Sequence, residues 1–320
     1  MTTPILVLDG VTKRFSGHTA VDGLSLAIPP GVIYGLLGPN GAGKTTTIRM
    51  ILDIIRPDAG SVRLFSETGR ARDHSARVGY LPEERGLYRK MRVVDVLVFL
   101  AEMKGIERRV ARARALAWLE RLGLGPWRLR RIDELSKGMQ QKVQFISTLL
   151  HEPALVVLDE PFAGLDPVNT QVLKDVVLEL RQGGVTVLFS THVMEQAEKL
   201  CDQLCIIARG RKLVGGSLSD IKRTSSGQHL TIGFDGEAGD AARLFAERRL
   251  VKQVDDYGQY AELELTPGAD PQELLRLLVA SGARLSRFQV MEPSLHKIFM
   301  DLVGRDAARP VVREELITRA

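Results

Sequence analysis

Gly38-Pro39-Asn40-Gly41-Ala42-Gly43-Lys44-Thr45 fixes how the rest of this chain is read. The eight residues satisfy G-x-x-x-x-G-K-[ST], directly after the apolar run IYGLL (residues 33–37) and before a helical run. The glycines let the backbone curl until successive N–H groups point at phosphate oxygens, and the helix N-terminus adds a positive partial charge. In such a loop Lys44 reaches the β- and γ-phosphates and Thr45 offers its hydroxyl to Mg²⁺. By itself the loop specifies a nucleotide and leaves open what is done with it.

Further along, Leu155-Val156-Val157-Leu158-Asp159-Glu160 is an apolar strand that ends in two acids. Ligands of a parallel sheet collect at the carboxyl ends of its strands, so both acids should point into the crevice that holds the phosphates. One carboxylate there can hold Mg²⁺ through water, and a second, directed at the γ-phosphate, can orient and deprotonate an attacking water. His192 stands just past another apolar run, VTVLFS (residues 185–190). A lone histidine is usually an ordinary surface or core residue; at a strand end beside a nucleotide crevice, a γ-phosphate contact is the better reading.

Around these motifs the chain alternates short apolar runs with helical segments from Ile5 to about Arg223. IYGLLG, LVVLDE, VTVLFS and QLCIIA read as buried parallel strands, which implies an α/β fold with right-handed crossovers. Ile5–Leu8 and Leu24–Ile28 read as strands of an extra N-terminal sheet, and residues 91–150 as a helical insert with Ser136 capping its third helix. The nucleotide-binding domain is placed at residues 1–224. After it the order changes to β-α-β-β-α-β-α, the split βαβ pattern of a small α+β ferredoxin-like domain at 225–304, and 305–320 reads as a mobile tail.

Composition narrows the class. The chain has 320 residues, 44% hydrophobic and 26% charged, too long for one ordinary core and too apolar for disorder. Its longest apolar run, Val96–Ala101, falls far short of the ~20 residues that span a bilayer, and no secretory signal opens it. A cytoplasmic protein is expected unless a partner holds it at a membrane. The net charge of +5 is dispersed, so no specific nucleic-acid partner is expected; the arginines of residues 108–131 read as a solvated helix face. Cys201 and Cys205 sit among apolar residues and read as buried reduced thiols, not as a metal site or a disulfide.

Together with LSKGMQQ (residues 135–141), these motifs make the chain resemble the nucleotide-binding subunits of ABC transporters. Over about residues 5–220 the order is GPNGAGKTT, GYLPEERGLY, LSKGMQQ, LVVLDEP, GLD and STH. The resemblance implies a phosphate-loop ATPase with ATP and Mg²⁺ as ligands. Residues 38–46, Thr46 included, would bind ATP; Thr45 and Asp159 would serve magnesium, and Glu160 would be the general base. His192 would be the switch histidine and Phe15 the aromatic that stacks on adenine, although a core Phe on a strand fits it nearly as well. Leu135, Ser136, Lys137, Gly138 and Met139 correspond to the signature that meets the γ-phosphate held by the opposite subunit, and Asp166 to the acid of the dimer-crossing loop. Lys137 and Met139 replace the usual Gly and Gln of that signature, and Glu83 replaces a glutamine that serves magnesium.

LPEERGLY, LSKGMQQKVQF and the C-terminal EPSLHKIF are similar to one exporter branch, the sodium-extrusion and drug-efflux ATPases. That likeness implies a homodimer on a separate integral-membrane permease, peripheral on the inner face of the membrane. Arg85, Gly86, Leu87 and Tyr88 would dock on the permease. The rival reading is a soluble ABC ATPase acting on ribosomes or nucleic acid. Such proteins carry a second ATPase domain or long coiled coils, and this chain has neither.

Overall fold

The computed structural model describes residues 3–65, 71–84, 86–225, 229–235, 245, 248–258, 260–266, 268–291 and 293–307. The chain divides into two compact units, Met1–Leu218 and Ser219–Ala320. In the first unit, β1 (Leu6–Phe15), β2 (His18–Ile28) and β4 (Ala59–Leu64) form an antiparallel sheet in the order β2-β1-β4. A second sheet contains β3 (Ile33–Leu37), β5 (Val78–Leu81), β6 (Leu155–Asp159), β7 (Thr186–Thr191), β8 (Gln203–Ala208) and β9 (Arg211–Ser217), in the order β5-β6-β7-β3-β8-β9. Its neighbours pair in parallel except β9, which runs antiparallel to β8. β3, β6 and β7 are buried along their whole length, so they need no alternation and read as continuous apolar runs.

Helix α1 (Lys44–Ile51) follows β3 and joins the two sheets. Its Ile48 and Ile51 pack in one cluster with Leu6, Leu24 and Ile28 of the antiparallel sheet and Leu36 of β3. Each such fully buried aliphatic side chain contributes ~1.5–3 kcal/mol, so the position of the phosphate loop is set by the core on which its helix rests. Helices α2 (Val93–Glu102), α3 (Arg108–Arg121) and α4 (Lys137–Ser147) make up the helical insert. α3 buries Ala111, Ala115 and Leu119, a stripe at spacing four whose small side chains allow close approach. Arg108, Arg109, Arg112 and Arg121 are exposed, as a solvated face requires, and the Arg121 guanidinium lies 4.7 Å over the Trp118 ring. Arg114 is the exception, half-buried with its guanidinium donating to the Leu150 carbonyl oxygen (2.8 Å) and paired with Glu152. α5 (Pro167–Gln182), α6 (Met194–Leu200) and α7 (Leu218–Ser225) complete the order up to residue 225.

The N-terminal strands are longer than the expected Ile5–Leu8 and Leu24–Ile28. The register of β1 against β2 shifts between Leu8 and Val11, beside Gly10 at φ 57°, and this irregularity resets the alternation that marks a strand. Beyond it Val11 and Thr12 are buried, and β1 continues to Phe15. β4, β5 and β9 were not anticipated as strands. β5 has four residues, and β4 and β9 are largely exposed or half-buried, so neither periodicity nor an apolar run marks them.

In the second unit, β10 (His229–Phe234), β11 (Val251–Asp256), β12 (Tyr260–Leu265) and β13 (Leu285–Met291) form an antiparallel sheet in the order β11-β12-β10-β13. This is the strand order of the split βαβ arrangement. Leu230, Leu263, Leu274 and Leu278 form its core, with Phe245 packed against it. Apart from Phe245 and Arg248, the helix expected at 240–248 lies outside the described residues. Of the mobile tail expected at 305–320, residues 305–307 continue the helix Leu295–Ala307 and the rest lies outside the described residues. Among the described residues no helix is long and apolar enough to cross a membrane.

Cys201 and Cys205 are free and buried. Burial pushes the Cys205 thiol up to about 12 and the Cys201 thiol well above its ordinary value. The thiolate is the reactive form, so native protein at pH 8 should give no rapid reaction with a thiol-disulfide reagent, and two equivalents after unfolding in guanidinium. Rapid reaction of one equivalent in the native state would contradict this packing.

Candidate functional site

The turn from β3 into α1 admits only glycine at two points. A Cβ on Gly38 would lie 2.2 Å from the Ile207 carbonyl oxygen. Gly43 has φ 101°, and a Cβ there would lie 2.4 Å from the Ala20 carbonyl oxygen. Gly43 leads straight into α1 with no side chain capping the helix, which leaves first-turn N–H groups for a ligand. A cavity of about 470 Å³ opens along residues 40–46 and is also lined by Phe15, Glu83 and Glu160. Phe15, at the end of β1, is 50% exposed: it lines this cavity and is not a core residue.

The charges of the site form a connected set. The Lys44 side chain is buried; its Nζ donates to the carbonyl oxygens of Gly38 (2.8 Å) and Pro39 (3.2 Å) and lies 3.4 Å from Glu160 Oε1. The same Glu160 oxygen lies 3.0 Å from His192 Nδ1. Glu160 itself is held at φ 48°, a left-handed conformation rare for a glutamate. Asp159, at the end of β6, is fully buried. Its Oδ1 accepts a hydrogen bond from Ser190 Oγ (2.5 Å), whereas Oδ2 has no partner among the described residues.

Asp159, Thr45, Tyr80 and Glu83 line a second cavity of about 300 Å³. Burial, and then the negative charge of Asp159, push the Tyr80 hydroxyl up to about 12, so it stays neutral there. A bare, buried carboxylate oxygen and a threonine hydroxyl on one cavity wall are hard oxygen donors of the kind Mg²⁺ takes, so these residues fit the ion. Glu83 lines both cavities.

The remaining sequence-marked residues lie elsewhere. Ser136 caps α4 by accepting from the Met139 N–H (3.3 Å). Ser136 and Lys137 are exposed, Gly138 and Met139 half-buried, and Leu135 buried. Asp166 caps α5 by accepting from the Asn169 N–H (2.9 Å), and these hydrogen bonds hold its carboxyl below the ordinary range. None of residues 135–139, nor Asp166 or His192, lines the 470 Å³ cavity. α4 is nevertheless tied to the strand ends of the site: Gln141 donates to the Pro161 carbonyl oxygen (3.3 Å) and Gln144 to that of Glu84 (3.2 Å). Ser190 is the contact that sequence reasoning passed over. It ends the apolar run VTVLFS and opens the STH motif, and only the parallel pairing of Asp159 with Ser190 brings it to the acids.

Comparison with known proteins agrees with this architecture. Residues 21–163 match the family described as ABC transporter, and residues 216–303 match the C-terminal domain of the ATP-binding protein DrrA1-3-like family. An uncharacterized ABC transporter ATP-binding protein of Bacillus subtilis, YhaQ, is 45% identical over 94% of this chain and 99% of its own length. The linearmycin resistance ATP-binding protein LnrL of the same organism is 32% identical over 94% of this chain and 99% of its own. The Nod factor export ATP-binding protein I of Ralstonia nicotianae is 34% identical over 95% of both chains. Among solved structures, an ATP-binding subunit of an ABC transporter superposes with a TM-score of 0.64 at 29% identity, covering 69% of this chain and 92% of that one.

Lys44→Ala removes the buried cation and leaves Glu160 without its ion-pair partner. ATP affinity, measured by calorimetry with Mg²⁺ present, should fall by at least ~10-fold, the worth of a charge-assisted contact. Affinity within two-fold of wild type in a folded mutant would remove the phosphate-loop assignment.

Proposed function

The chain belongs to the ATP-binding proteins of ABC transporters, a family of ATPases, and from that premise we propose that it powers an exporter whose membrane pathway is a separate permease. Support for export comes from relatives named for Nod factor export and linearmycin resistance, which align along nearly the whole chain. The single observation that carries the hydrolytic assignment is the meeting of Lys44 and His192 on one oxygen of Glu160.

In this reading residues 38–46 bind the phosphates and Phe15 stacks on adenine. Lys44 neutralises the β- and γ-phosphates, and Glu160 takes the proton of the attacking water. His192 orients Glu160 and contacts the γ-phosphate. Thr45, Asp159 and Glu83 would hold Mg²⁺, which when bound neutralises charge on the phosphates. The carboxylate of Glu83 supplies an oxygen donor as the usual glutamine would, with an added negative charge.

Completion of the site requires a second copy. The cavity is open and lacks residues 135–139, whereas Ser136 and Lys137 are solvent-exposed on their helix end. A head-to-tail homodimer supplies the signature of one subunit to the phosphates of the other, with Asp166 at the crossing loop. ATP then favours the closed dimer by its differential affinity, and hydrolysis reopens it. The permease places the chain at the cytoplasmic face of the membrane. Tyr88 (50% exposed), edge-on to Phe99 at 5.5 Å, offers it an apolar contact beside Gly86 and Leu87; Arg85, assigned to the same surface, lies outside the described residues.

Mixing two inactive mutants tests the shared site. Ser136→Arg blocks the signature and Lys44→Ala the loop, so each homodimer should be inactive. A mixed dimer keeps one sound site, and an equimolar mixture should recover up to about a quarter of wild-type turnover, since about half the dimers are mixed and each has one of two sites. ATP-dependent dimerisation is followed alongside, because coupling between sites suppresses recovery. Neither turnover nor ATP-stabilised heterodimers, where wild type gives both, would overturn the head-to-tail reading.

A further inference from the structure

Ser190 is fully buried at the penultimate position of β7, paired in register with Asp159 of β6. Its hydroxyl has one proton and commits it to Asp159 Oδ1 at 2.5 Å. The oxygen that remains accepts the backbone N–H of Glu160 at 3.0 Å. One hydroxyl therefore touches both acids of the site, and its burial leaves no exposed surface from which solvent could take over the two bonds.

Two consequences follow from that geometry. A carboxylate with one oxygen anchored cannot turn about its Cβ–Cγ bond without breaking the anchor. With Oδ1 engaged, Oδ2 is the oxygen left without a partner among the described residues, and Asp159 lines the same cavity as Thr45 and Glu83. The second consequence concerns Glu160, whose left-handed backbone costs ~1–3 kcal/mol and persists only where surrounding contacts over-determine it. The Ser190 bond to its N–H is one such contact. His192 touches the same glutamate through its side chain from two residues further along the chain.

We infer that Ser190 is a positioning residue: its hydroxyl fixes the ion-holding oxygen of Asp159 and the backbone of Glu160 together. The inference rests on Asp159 being the acid that holds the divalent cation. A serine that merely fills space in a buried strand would be replaceable by alanine. One that orients a metal-holding carboxylate is not, because partners of that kind set metal affinity by about 10–100-fold.

The test uses the full chain with ADP and Mn²⁺ as the probe, and free Mn²⁺ is read by electron paramagnetic resonance. Ser190→Ala should weaken Mn²⁺ binding to the ADP complex by about 10-fold or more. ADP affinity in EDTA should stay within two-fold of wild type. Ser190→Cys, which keeps the volume with a weaker donor, should fall between the two and serves alone if the alanine variant does not fold. Mn²⁺ affinity within two-fold of wild type in the folded variant, or an equal loss of metal-free ADP affinity, would overturn the role given to Ser190. Asp159→Ala is the separate control: if it leaves Mn²⁺ binding intact, it is the assignment of the metal site that fails.

Discussion

A buried ammonium organises this site. Lys44 Nζ is held by two carbonyl oxygens of its own loop and lies 3.4 Å from the Glu160 carboxylate, in a place nearly closed to water. A charge in such a place is costly unless it is paired, and its contacts come from two strand ends: the loop carbonyls from β3 and the glutamate from β6. In the proposed nucleotide site the phosphates would compete with Glu160 for the same cation. When they win, the carboxylate would be freed beside the γ-phosphate, where the proposed base for water is needed.

That arrangement depends on the parallel sheet. β6, β7 and β3 lie side by side in register, so their carboxyl ends deliver Asp159, Ser190 and the loop to one edge. Their full burial removes any freedom to slip, because every side chain on both faces is already packed. α4 extends the connection outward. Its Gln141 and Gln144 grip the backbone just past β6 and β5, so a force on the exposed signature end is transmitted to the loops that follow the acids and Glu83. The site and the surface that would meet a second copy are joined by hydrogen bonds, not by loose packing.

Much of this was legible in the residue order. The phosphate loop, Asp159, Glu160 and His192 carry their chemistry in residue type and in position at a strand end, and such signals survive without coordinates. Phe15 was evenly balanced between core and ligand face, and its exposure on the cavity wall resolves where it lies. Ser190 stands in the STH motif, but its contact with the acids was hidden because it comes from pairing with a strand thirty-one residues away. The extents of β1 and β2 were hidden by the irregularity at Gly10. The buried face of α3 is made partly of alanines, which a search for large apolar residues weights too little.

The central claim is that Glu160 and the phosphates compete for Lys44, and Glu160→Gln tests it most directly. The substitution keeps the shape and removes the competing charge. Affinity for ATP should be measured by calorimetry in EDTA, so that no metal bridges the carboxylate and the phosphates. Tighter binding than wild type is predicted, since the ammonium is released to the nucleotide and a like charge beside the γ-phosphate is gone. Equal or weaker binding would mean that Lys44 is not shared between them, and would contradict the account.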